Sequence, residues 1–124
     1  MSNSSPVSAT VRLKRALAAA CLAICAIASP ALATDAAEGY VVGVMPMRNG
    51  VVIFSHTGVR TGTPPACHGP GYGWSLNAGT VAGQAQLSAL LSAQAQHKKI
   101  VIVGMGSCAD WPDTEAINYF RIVD

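Results

Sequence analysis

Tyr40-Val-Val-Gly-Val-Met-Pro-Met47 and Val51-Val-Ile-Phe-Ser55 flank Arg48-Asn49-Gly50, and this arrangement sets the fold. Both flanking runs are rich in β-branched and aromatic residues. Asn-Gly between such runs is a strong hairpin signal, because type I′ turns need positive φ at both central residues. The two runs are therefore read as an antiparallel hairpin. Pro46 has no N–H to give to a ladder, which points to an edge or a bulge near the end of the first strand.

On the C-terminal side, residues 57–73 carry five glycines and three prolines and read as a long loop. A short strand over 72–77 follows. Thr80 to His97 is the one convincing helix: Thr80 is placed to cap it, and Gly83, Leu87, Leu90, Leu91 and Gln94 share a face. Lys98 and Lys99 follow, where cations suit the C-terminal dipole. The β-branched run Ile100–Met105 predicts a buried central strand, and Glu115–Val123 alternates as a last strand. Residues 34–38 read as a frayed lead-in. The chain is thus mainly β with one helix, in the order β-β-β-α-β-β. That connectivity is the one used by OB-fold five-stranded barrels, and a small α+β sheet with one packed helix is the alternative.

N-terminal to this domain, Arg12, Lys14 and Arg15 precede an uncharged run from Ala16 to Ala33 that ends Ala31-Leu32-Ala33. A basic segment, a short apolar segment and small residues at the end describe a secretory signal peptide over 1–33, cleaved after Ala33. A membrane anchor is the alternative reading, but the run is rich in alanine and is broken by Pro30. No stable anchor is expected, and the exported chain is a single domain over 34–124, periplasmic or secreted. Its basic residues Arg48, Arg60, Lys98, Lys99 and Arg121 nearly balance Asp35, Glu38, Asp110, Asp113, Glu115 and Asp124. Nothing in that balance calls for nucleic acid as a partner. Cys21 and Cys25 leave with the leader, so Cys67 and Cys108 remain to form one disulfide in an oxidising compartment. A metal-binding pair or a reactive thiol has no supporting motif, and no metal or cofactor is expected.

The stretch Gly83-Gln-Ala-Gln-Leu-Ser-Ala-Leu-Leu, the run Lys99-Ile-Val-Ile-Val-Gly, then Cys108-Ala-Asp-Trp-Pro-Asp-Thr-Glu and Ile117-Asn-Tyr-Phe resemble a group of small exported bacterial proteins of unassigned activity. Their layout in turn resembles the B subunits of pertussis-like and subtilase-type toxins. That resemblance implies an OB-fold pentamer that binds surface glycans. It transfers no sugar-contacting residue to this chain. The helix over 80–97 bears on assembly: no residue between Thr80 and Gln96 is charged, and Ala82, Ala85, Ala89, Ala93 and Gln96 lie opposite the leucines. A solvated helix usually carries Lys and Glu, so this face is a candidate surface for a homo-oligomer.

Catalytic ingredients are thin. His56, His68 and His97 each stand alone, and no serine has a nucleophile-elbow setting. Asp110, Asp113 and Glu115 form the one acidic cluster and allow an acid/base reading, though Pro112-Asp113-Thr114 is also ordinary turn chemistry. Binding is better served by aromatics. Tyr72, Trp74 and Trp111, with Asp113 beside them, flank Cys67 and Cys108 and would gather once the disulfide closes; the alternative is that both tryptophans cover the disulfide and finish a small core. The expected function is a non-catalytic binding module for a glycan or protein ligand. A monomeric exported structural or inhibitor-type protein is the alternative.

Overall fold

The computed structural model describes residues 33–71 and 73–124. The described residues belong to one compact unit. The leader, apart from Ala33, and Tyr72 lie outside the described residues.

The elements are β1 (Asp35–Gly39), β2 (Val41–Pro46), β3 (Val51–His56), β4 (Arg60–Thr61), β5 (Trp74–Asn77), α1 (Val81–Ala95), β6 (Lys99–Gly104) and β7 (Ile117–Val123). They form a four-stranded sheet in the order β4-β1-β6-β7 and a three-stranded sheet in the order β2-β3-β5, each with antiparallel pairing throughout. The sheets do not close into a continuous barrel. An isolated parallel bridge, Ser75 to Ala116, is the strand-type link between β5 and the approach to β7.

The hairpin forms as its residues suggest, with a different turn. Val51 N donates to Asn49 Oδ1 at 3.2 Å, Gly50 N donates to Met47 O at 3.0 Å, and Gly50 takes φ 86°. Asn49 is not at positive φ, so the connection is a three-residue loop ending on a left-handed glycine instead of a type I′ turn. The extra residue suits Asn49, whose side chain satisfies a backbone donor that a tighter turn would use otherwise. Pro46 sits on edge strand β2, as its missing N–H requires, while the bulge falls earlier, between Val42 and Met45.

Two expectations are corrected at the N-terminal end and in the long loop. Residues 34–38 are not frayed: β1 pairs with both β4 and β6, and Thr34 and Ala36 are buried. β4 lies within the presumed loop because Arg60 and Thr61 pair with Ala36 and Asp35. Neither segment has strong β propensity, so partners on either side impose the extended form.

α1 begins as expected, with Thr80 Oγ1 accepting the Gly83 N–H at 3.0 Å. Its buried stripe is rotated from the leucine face. Gly83, Leu90 and Ala93 are buried, whereas Leu91 is 43% exposed. Ala93, placed by sequence on the outward face, is small enough to let the helix close on the core. That core joins Val52, Phe54, Trp74, Leu76, Leu90, Ile100 and Ile102 across both sheets and the helix. β6, as expected, is a central strand between β1 and β7.

Candidate functional site

The residues singled out by sequence fall into three separate places. The first is a buried polar knot. Glu115 is wholly buried just before β7, and its Oε2 accepts from Arg60 and from the Thr34 hydroxyl. Its Oε1 accepts from Gly106 N at 2.9 Å and Thr34 N at 3.4 Å. A glycine is required at position 104, where a Cβ would run into this carboxylate. Arg60 also donates to Gly73 O, and its guanidinium carbon lies over the Trp74 ring. Burial lowers the Arg60 pKa, opposed by the charge of Glu115 and its hydrogen bond. Such a pair is held by complete hydrogen bonding, since either charge alone would be costly to bury. Glu115 is therefore a structural ion-pair partner and stands apart from the exposed Asp113, which separates the acidic cluster read from sequence.

The second place is the disulfide. Cys67 and Cys108 are joined with a Cα separation of 6.2 Å, the pairing expected from the sequence. Trp111 is half-buried and bridges to Thr114, while Asp113 is exposed. Asp113 O accepts Gly69 N at 2.8 Å, and Oδ1 takes the Thr114 hydroxyl at 3.0 Å, which is turn chemistry. Trp74 does not join them at the surface: it is 2% exposed, in the core. The segment after Cys67 thus meets the turn at Asp113 through Gly69 N, while Trp74 is turned inward.

Each histidine has a structural contact. His56 Nε2 lies 3.1 Å from Ile100 O, linking β3 to β6, and its buried Nδ1 has no partner among the described residues. Burial lowers its pKa, against the carbonyls of Gly39 and Ile100, which raise it. His68 Nδ1 accepts Glu115 N–H at 3.3 Å, which requires an unprotonated Nδ1. Burial and then Arg60 lower its pKa, while Glu115 and Asp113 oppose them. His97 takes φ 56° after α1 and stacks on Tyr40 with centroids 4.6 Å apart.

The third place joins the uncharged helix to β7, a juxtaposition that the sequence did not show. Two depressions lie side by side where α1 meets β7, and Gln86 lines both. Its Nε2 donates to Asn118 O at 2.9 Å, tying the helix to the strand. One depression, about 410 Å³, is apolar and is walled by Ala85, Ala89, Tyr119, Phe120 and Ile122. The other, about 260 Å³, presents Thr80, Asp110, Asn118 and Met105. Burial raises the Asp110 pKa. Perturbed carboxylates in clefts are a recognised mark of binding sites. The uncharged helix was the visible signal, but β7 had to be known to lie beside it.

Among the described residues, no group of three or more His, Cys, Asp or Glu side chains is placed to hold a metal ion. Among the same residues, no helix is long and apolar enough to cross a membrane. Comparison with protein-family models, curated proteins and solved structures returns no match.

Proposed function

We propose that this protein is an exported, non-catalytic binding module that takes a glycan in the polar depression between α1 and β7. The observation that carries the reading is that Asp110, Asn118, Thr80 and Met105 line this one depression. The Asp110 carboxylate and the Asn118 amide beside the Met105 side chain match a sugar, whose hydroxyls alternate with C–H faces. Asp110 and Asn118 both line the depression, where a ligand would meet a carboxylate and an amide. Glu115 is committed to Arg60 and the Asp113 side chain to Thr114, which favours binding over acid/base chemistry.

Strand pairing supports the OB-type element of this reading. β1 and β2 follow one another through Tyr40 and serve different sheets; β3 and β5 continue from β2, and β6 and β7 continue from β1. The parallel Ser75–Ala116 bridge is where such a barrel would complete its circuit. The apolar depression is the place for a second copy of the chain. Ala85 and Ala89 allow close approach, and β7 is a sheet edge with Tyr119 54% and Ile122 39% exposed. A ring of five is the assembly implied by the toxin resemblance.

A glycan array probed with the processed, oxidised protein tests the function. Wild type is expected to bind, and Asp110→Ala and Asn118→Ala to lose at least tenfold in affinity while keeping their circular dichroism. Silence of the wild type, with a monomeric native mass, favours the inhibitor-type alternative.

A further inference from the structure

Thr34 is fully buried, although Ala33 before it is exposed. Every polar group of Thr34 is engaged: its N–H and hydroxyl donate to the two oxygens of Glu115, and its carbonyl accepts Gly104 N at 2.7 Å. Arg60 Nη1 also donates to the Thr34 hydroxyl at 2.9 Å. The sequence places leader cleavage at the bond just before this residue, between Ala33 and Thr34.

We infer that removal of the leader converts the Thr34 peptide nitrogen into an α-ammonium that pairs with the buried Glu115 carboxylate, so that processing completes the polar knot anchoring the N-terminus. This rests on the export reading above. Hydrolysis breaks the Ala33–Thr34 amide: water gives its oxygen to the Ala33 carboxylate that departs with the leader. The Thr34 nitrogen gains hydrogen and is protonated near neutral pH. A peptide N–H at 3.4 Å from Oε1 is a weak donor, whereas an ammonium brings three donors and a full charge. Because Thr34 is buried, cleavage precedes its docking, and the knot closes on the processed chain.

The surrounding charges permit it. Arg60, from β4, occupies the other carboxylate oxygen, and its side chain is one-fifth exposed, so water shares its charge. His68, from the loop before β5, faces Glu115 with an unprotonated Nδ1 and adds no charge through it. Asp113, from the turn before β7, engages Thr114. Asp35, the next residue on β1, is exposed.

The test compares two proteins exported from full-length precursors: the natural one, and one with an alanine inserted between Ala33 and Thr34. Intact mass reports the bond cut in each. Urea unfolding at pH 7 is expected to give the natural form a folding constant about tenfold larger, equivalent to about one unit of stabilised protonation. An amine held protonated in the folded state stabilises fully below the free α-amine value of about 7.7–8.0, and that stabilisation is lost as pH rises through its folded value. The difference should therefore fade by pH 10. Equal stability at pH 7, or a difference independent of pH, overturns the pairing.

If the inserted form does not fold, amine acylation of the natural protein decides. Protection of the Thr34 amine in the native state and reaction in urea support the inference, and equal reaction in both overturns it. Cleavage at another bond overturns it by a separate route, through the processing site on which it rests.

Discussion

The guanidinium carbon of Arg60 lies 3.6 Å from the centroid of the Trp74 ring. The same guanidinium binds Glu115 and Gly73 O, so a two-residue strand, β4, joins core, carboxylate and chain crossing in one side chain. Desolvated cation–π contacts contribute about 2 kcal/mol, and breaking one side of a buried ion pair costs about 3–5 kcal/mol. Arg60→Met is accordingly expected to lose about 3 kcal/mol or more in urea unfolding, because Glu115 remains buried without its cation. Arg60→Met with Glu115→Leu should recover part of that loss. A double variant that is less stable than the sum of the single ones would show that the pair is not the source.

The disulfide closes a loop between positions 41 apart, for which the chain-entropy relation gives about 4 kcal/mol. Cys67→Ser with Cys108→Ser should lower unfolding stability by roughly that amount. The folded variant should keep its native circular dichroism, since the core lies on the sheets and α1 and does not include the bridge. A loss below about 1 kcal/mol would mean that the loop between the cysteines stays ordered in the unfolded chain.

Acid should weaken the fold through histidine. His56 and His68 both have folded pKa values lowered from 6.5, chiefly by burial. The unfolded chain then binds more protons just below 6.5, so stability rises with pH through that window and is lost as pH falls from 6.5 toward the folded values. Urea midpoints measured from pH 5 to pH 7 should climb, and His56→Gln should climb less steeply. An unchanged slope in that variant would remove His56 from the explanation.

Much of this was legible in the residues. The hairpin over 40–55 and the β6 run announce themselves by β-branched content, α1 by the Thr80 cap and the spacing of Leu87, Leu90 and Leu91, and the disulfide by the export expected from the N-terminal sequence. β1 was not legible: Asp35-Ala-Ala-Glu-Gly39 has little β preference, and pairing with β4 and β6 makes it a strand. Nor was the Arg60–Glu115 pair, whose members are 55 positions apart. An aromatic residue beside a cysteine reads the same whether it stacks on a ligand or fills a core. Trp74 could therefore be read as a binding residue or as core, and it lies in the core. The face at α1 and β7 needs two distant segments to be neighbours, which periodicity alone does not supply.

Amide chemical shifts of the processed protein, recorded while a glycan selected on the array is added, test the central claim most directly. Shifts are expected to concentrate on Thr80, Met105, Asp110 and Asn118, with Cys67, His68 and Asp113 undisturbed. Shifts centred instead on Trp111 and Asp113, or none at saturating glycan, would contradict it.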